Sequence, residues 1–176
     1  DAPPKNSLLS ENPSLFYVWV GINQENSKLQ DPKVRKAIQL AIDVPSILAA
    51  AYYDAADAAT GIIAPGLTGH REQSILPPAA DYAKAKQLLN EAGYGSGLDL
   101  SIDILNKSTF VTAAQIMQAT MATVGIRLTV NLHESGSFWA LGSESSGDRW
   151  KGIELVMNRF SMTPDPYYAS QWFVEK

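Results

Sequence analysis

The sequence predicts an α/β domain, and three features carry that expectation. Leu98, Leu100, Ile102 and Ile104 alternate with Asp99, Ser101 and Asp103, the two-residue period of a strand with one apolar face. Phe110, Ala114, Met117, Met121 and Val124 follow at helical period, and Gly125 closes that helix. Ile126, Leu128, Val130 and Leu132 then alternate with Arg127, Thr129 and Asn131. Strand, helix and strand in this order form a crossover unit, which joins parallel strands. The 176 residues suffice for one domain with a core, and no repeat, low-complexity tract or linker divides them.

The remaining elements fall into place around that unit. Leu15 to Ile22 is apolar on both alternating faces and reads as a strand covered on both sides. Asp31-Pro32 opens a helix, with Asp at the cap and Pro at the first helical position, where its missing N–H costs nothing. Val34, Ala37, Ile38 and Ala41 are its apolar stripe. Asp43 caps a second helix carrying Ile47, Leu48 and Ala51. Thr60 to Pro78, rich in Gly and Pro, reads as a short strand and a long loop. Asp81 begins a third helix with Tyr82, Ala85, Leu88, Leu89 and Ala92 on one face and Gly93 as its left-handed stop. After the crossover come a short helix at Ser137 to Leu141, a polar loop from Glu144 to Lys151, a strand at Ile153 to Met157, and a terminal helix from Tyr167 to Val174.

Composition narrows the function classes. A net charge of −4 without a basic run or an aromatic-interleaved Lys/Arg patch argues against nucleic acid. With no cysteine, disulfides, thiol catalysis and thiolate metal sites are excluded together. His70 and His133, the only histidines, lack metal-like spacing; His133 ends an alternating strand and reads as a satisfied or solvent-facing side chain. No stretch reaches the roughly 18 apolar residues of a membrane helix. The chain opens Asp1-Ala2-Pro3-Pro4 with neither a basic start nor an apolar run of the kind a signal peptide has. Neither a G-x-S-x-G elbow nor a phosphate-binding glycine loop is present, so an enzyme is not expected, and no cofactor is implied.

Three stretches in order resemble one family. Val18–Asn23 followed by Asp31-Pro32-Lys33-Val34-Arg35-Lys36-Ala37 and Ala41-Ile42-Asp43 is similar to its strand ending in Asn and its paired helices. Gly61-Ile62-Ile63-Ala64-Pro65-Gly66 and Leu88-Leu89-Asn90-Glu91-Ala92-Gly93-Tyr94 look like its glycine–proline turn and following helix. Val124-Gly125-Ile126 and the later Asp165-Pro166 complete the set. The family is that of the extracytoplasmic solute-binding proteins, family 5, serving peptide, nickel and opine ABC importers. The resemblance implies a type II periplasmic-binding-protein-like lobe, a mixed sheet with flanking helices, spanning residues 1–176 as part of a larger two-lobed protein. It implies a small-molecule or peptide ligand held in a cleft closed by the amino-terminal lobe, ABC permease subunits as partners, and a periplasmic or other extracytoplasmic location. A non-catalytic interaction or scaffold domain is the alternative.

Candidate ligand-binding residues follow from the same resemblance. The stretch before Asp165-Pro166 lines the cleft in the family's peptide binders, where an acidic residue pairs with the peptide ammonium; counted back from Pro166, that position holds Met162, and the place of a frequent aromatic holds Arg159. A thioether cannot offset an ammonium, whereas a guanidinium invites carboxylate or phosphate. The expected ligand is therefore something other than a simple di- or oligopeptide, an anionic opine-like or sugar-acid conjugate, held by Arg159, Phe160, Ser161, Met162, Asp165 and Tyr167. Asn23, at a strand end, either reaches the ligand or braces a turn, and Gly66 either lets backbone approach a ligand or serves a plain loop. Arg35 and Asp43 read as scaffold charges, and Tyr167, Tyr168 and Trp172 as core packing or a stacking surface, with Trp139 and Trp150 equally open.

Overall fold

The structure, a computed structural model, describes Ser7, residues 14–161 and residues 163–168. Four strands, β1 (Phe16–Ile22), β2 (Leu98–Leu105), β3 (Ile126–His133) and β4 (Leu155–Ser161), form one mixed sheet in the order β1-β4-β2-β3. The helices are α1 (Pro32–Ala41), α2 (Val44–Tyr52), α3 (Tyr82–Glu91), α4 (Ser108–Ala122) and α5 (Ser135–Ala140). β2 and β3 run parallel in the register Leu98↔Ile126 to Leu105↔His133, as the crossover through α4 requires. α4 packs on β2 and β3, and α1 and α2 pack on α4 in turn, with α3 against α1.

The strand period decides which side is core. Leu98, Leu100, Ile102, Ile104, Ile126, Leu128, Leu155 and Met157 occupy one face and are all buried, facing Phe110, Ala114, Met117 and Met121 of α4. Each fully buried Leu or Ile contributes roughly 1.5–3 kcal/mol. The opposite face carries Asp99, Ser101, Asp103, Arg127, Thr129, Asn131 and His133. There Arg127 forks onto Asp99, and the guanidinium holds that exposed carboxyl below its usual range.

Local chemistry fixes the helix ends. Asp31 accepts from Lys33 N–H at 2.7 Å with Pro32 at the start of α1, and Asp81 accepts from Lys84 N–H at 2.9 Å. α3 stops at Gly93, whose φ of +87° allows Tyr94 N–H to reach Leu89 O and Gly93 N–H to reach Asn90 O. Asp43 heads α2 but bonds the Ser46 hydroxyl rather than a backbone N–H.

Two expectations change. Leu15–Ile22 does form a strand, but β1 is an edge with its beginning uncovered, Phe16 being 53% and Val18 38% exposed. An apolar run meets strand propensity at an edge or a centre alike, so periodicity does not separate the two. Between Thr60 and Pro78 no strand forms among the described residues. Two successive turns take its place, Ala64–Leu67 and Leu67–His70, each closed by an N–H to O bond and each with a positive-φ glycine, Gly66 and Gly69, at its third position. The expected terminal helix is described only over Pro166–Tyr168.

β4 enters the sheet through a polar knot. Glu154, 8% exposed, accepts from Lys28 Nζ at 2.6 Å, Ser101 N–H at 2.6 Å and Ser101 Oγ at 3.1 Å. Asn23 donates to Trp150 O and Ile153 O, and its side-chain oxygen accepts from Glu25 N–H. Removing the Glu154 carboxylate strands a buried strand N–H, so Glu154→Ala should cost about 2–4 kcal/mol in urea unfolding. Lys28 is 42% exposed and can turn to water, so Lys28→Ala should cost less than about 1 kcal/mol. Equal, small losses for both would show that this knot does not hold β4.

Candidate functional site

The β1–β4 ribbon outruns the rest of the sheet. β4 pairs with β1 over seven positions, Phe16↔Ser161 to Ile22↔Leu155, but with β2 over only three, Ile102↔Leu155 to Ile104↔Met157. Beyond Met157, β4 parts from β2 and continues with β1 alone. The ribbon's end lies on the side of the sheet where the parallel strands β2, β3 and β4 finish, the usual location of ligand crevices in α/β proteins.

Strand alternation sorts this end into two faces. Tyr17, Trp19, Gly21, Val156, Asn158 and Phe160 share the polar face with Asp103 and His133. The rings of Tyr17 and Phe160 lie 5.6 Å apart and tilted, and Phe160 stacks on Tyr168 at 5.7 Å and 24°. Burial pushes the Tyr17 phenol up to about 12. Gly21 is required here, since a Cβ would meet the Trp19 ring at 2.5 Å. On the other face the Arg159 guanidinium sits 5.1 Å over the Phe16 ring, with exposed Ser161 paired to Phe16 across the ribbon. Among the described residues Arg159 has no carboxylate partner.

The sequence-derived residues therefore divide. Arg159, Phe160, Ser161, Asp165 and Tyr167 belong to the ribbon end and the turn that follows it, while Met162 lies outside the described residues. Asp165 caps that turn, accepting from Tyr167 N–H at 2.9 Å, and Tyr167 is 67% exposed. Asn23 stands at the opposite end of the ribbon, roughly 20 Å from Ser161 along the strand, and its amide braces the approach to β4. It borders a shallow depression of about 230 Å³ lined by Gly21, Ile22, Asn23, Trp150, Ile153 and Val156. Gly66 is exposed in its turn between α2 and α3. Arg35 donates to Leu29 O and Gln30 O, a scaffold role.

One group escaped the sequence reading. Asp103 Oδ1 accepts from His133 Nε2 at 2.7 Å and from Asn131 Nδ2 at 3.2 Å, and Phe138 of α5 meets the His133 ring edge-on. Asp103 and Asn131 are cross-strand partners, and the alternation that hides the apolar face places both on its reverse. No cluster of three potential metal ligands occurs among the described residues.

The Tyr17 environment gives a pH prediction. Its folded value of about 12 exceeds the ordinary 10, so the native state holds the proton more tightly. That contribution is complete below the unfolded value and is lost as pH rises through the folded one. Stability should therefore fall between pH 10 and about 12, and Tyr17→Phe should make the fall shallower. Burial also raises Tyr52 and Tyr82, so some decline should persist. An identical alkaline profile in the variant would contradict the buried Tyr17 phenol.

Comparisons with known proteins agree on a lineage. Residues 1–176 match the family described as bacterial extracellular solute-binding proteins, family 5 Middle. The glutathione-binding protein GsiB of Escherichia coli (strain K12) is 30% identical over 175 residues, covering 95% of this chain and 34% of that protein. The chain thus spans about a third of the length of the curated relatives it matches. Among solved structures, the dipeptide binding protein from Pseudoalteromonas sp. SM9913, in complex with Met-Leu, matches at 26% identity with a TM-score of 0.77, over 90% of this chain and 31% of that one. The periplasmic binding protein DppA from Helicobacter pylori, in complex with the peptide STSA, matches at 25% identity with a TM-score of 0.76, over 89% and 29%. These structures share the type II periplasmic-binding-protein-like architecture of a mixed sheet with flanking helices. The family consists of binding proteins and not enzymes, which disfavours the bare scaffold alternative as well. The chain belongs to the family 5 bacterial extracellular solute-binding proteins.

Proposed function

We propose that this chain is one lobe of an importer's solute-binding protein and meets its solute with the projecting end of the β1–β4 ribbon. The solute is a short peptide with a carboxylate beyond the one that ends every peptide, and glutathione is the compound to test. The observation that carries this reading is Arg159. Its guanidinium lies over the Phe16 ring with no carboxylate partner among the described residues. A guanidinium engaged only by a ring keeps N–H donors for a forked bond to a carboxylate. On the opposite face of the same ribbon end, Tyr17, Phe160 and Tyr168 offer apolar surface to a ligand that wraps the projecting end.

The relatives support the peptide class. GsiB is named for glutathione, and the two solved neighbours above hold Met-Leu and STSA. Glutathione carries two carboxylates, which suits a site with an arginine free of carboxylate partners; it keeps the anionic character expected from the sequence but replaces the expected non-peptide ligand with a peptide. A second lobe of the same protein closes the cleft, permease subunits receive the solute, and the protein works outside the cytoplasm. Closure then shifts the population from an open to a closed state by contacts made only when closed.

Calorimetric titration with glutathione and with Met-Leu tests the reading. Arg159→Gln should weaken glutathione binding by about tenfold or more, the effect of losing one charge-assisted pair, and weaken Met-Leu less. Unchanged glutathione affinity in the variant would remove Arg159 from the site, and binding of neither compound to the unaltered protein would end the peptide reading.

A further inference from the structure

Two carboxylates are buried among the described residues, Asp103 and Glu154. Glu154 has a complete structural explanation, with three donors divided over both oxygens. Asp103 does not. Its side chain is 10% exposed, and His133 and Asn131 both donate to Oδ1. Among the described residues Oδ2 has no hydrogen-bond partner, although an ionised carboxylate accepts on both oxygens. That oxygen is not one of the buried polar atoms left without a partner, so it stays open to solvent, where a cationic N–H donor can take the place of water.

The position of Asp103 gives that donor a way in. Asp103 faces Val156 across the sheet, within the last three positions at which β2 and β4 pair. Just beyond it the two strands part, and Asn158 and Phe160 of β4 continue on the same face. From Val156 to Phe160 is roughly 13 Å at about 3.3 Å per strand residue, close to the length of an extended tripeptide.

We propose that Asp103 is an amine-binding residue: its Oδ2 accepts from the ammonium of the solute, and Asn131 and His133 act as positioning residues that hold the carboxylate. The ligand class is a primary amine, here the free amino group of a short peptide lying along the polar face toward Tyr17, Phe160 and Tyr168. This rests on the peptide-binding reading, which the same experiment checks separately.

The test is calorimetric titration of the protein with glutathione, with Met-Leu and with the N-acetylated form of each. Acetylation removes the positive charge without shortening the peptide. The unaltered protein should bind a free-amine form about tenfold or more tightly than its acetylated counterpart, as expected for one charged hydrogen bond. That comparison needs no variant and so does not depend on how a substitution folds. In Asp103→Asn the preference for the free amine should collapse, while affinity for the acetylated peptide changes little. Binding of free and acetylated peptides with equal affinity would overturn the role of Asp103 and leave the peptide reading standing. So would a variant that loses both forms equally, the mark of a purely structural aspartate. Binding of none of the four compounds would overturn both.

Discussion

Everything distinctive about this fold depends on how β4 is inserted. A strand that pairs antiparallel with β1 and parallel with β2 must be held in register from both sides at once. The hold is concentrated at its entry, where the Glu154 carboxylate ties the 3-10 turn at Ser27–Leu29 to β2 and the Asn23 amide gathers the carbonyls of Trp150 and Ile153. A one-residue slip would exchange Leu155 and Met157 for Val156 and Asn158 on the core face. With the entry fixed, the strand's far end can leave β2 and still point predictably, because β1 accompanies it over all seven positions.

That geometry separates a buried half from an exposed half along a single strand. Leu155 is fully buried and Met157 2% exposed under the helical layer, whereas Arg159 and Ser161 are exposed. The transition takes four residues. An arginine is tolerated at the outer end because Phe16 offers its ring face and water remains available to the N–H edges. At the position of Met157 the same side chain would be an unpaired buried charge.

Much of this was legible in the sequence, and the failures have physical causes. Alternation at Leu98–Leu132 and the caps Asp31, Asp81 and Gly93 are local signals, and local rules gave those elements nearly to the residue. The edge position of β1 depends on where β4 goes more than 130 residues later, which no window can hold. Thr60–Pro78 carries aliphatic residues suited to a strand, but Pro65-Gly66 and Gly69 commit the backbone to turns. Asn23 was visible as a strand-end residue able to brace or to bind, and its partners Trp150 and Ile153 lie far along the chain. Asp103 was read correctly as a polar strand residue, yet sequence alternation marks it only as facing away from the core. Its partners Asn131 and His133 are brought beside it by the crossover.

The same contrast bears on how a site can keep or lose a charge. The position at which the resemblance to peptide binders implies an acid holds Met162, which by itself suggests a cleft without a negative partner for an amine. A loop is one of two places from which a carboxylate can be supplied. The reverse face of a parallel strand is the other, and it is the more rigid, because strand pairing and cross-strand donors fix the side chain before any ligand arrives. Asp103, gripped on one oxygen by two neighbours, is preorganised in this sense, while an exposed loop acid would have to be ordered on binding. With Arg159 on the opposite face of the ribbon, the proposed complements for a cation and an anion stand apart from each other.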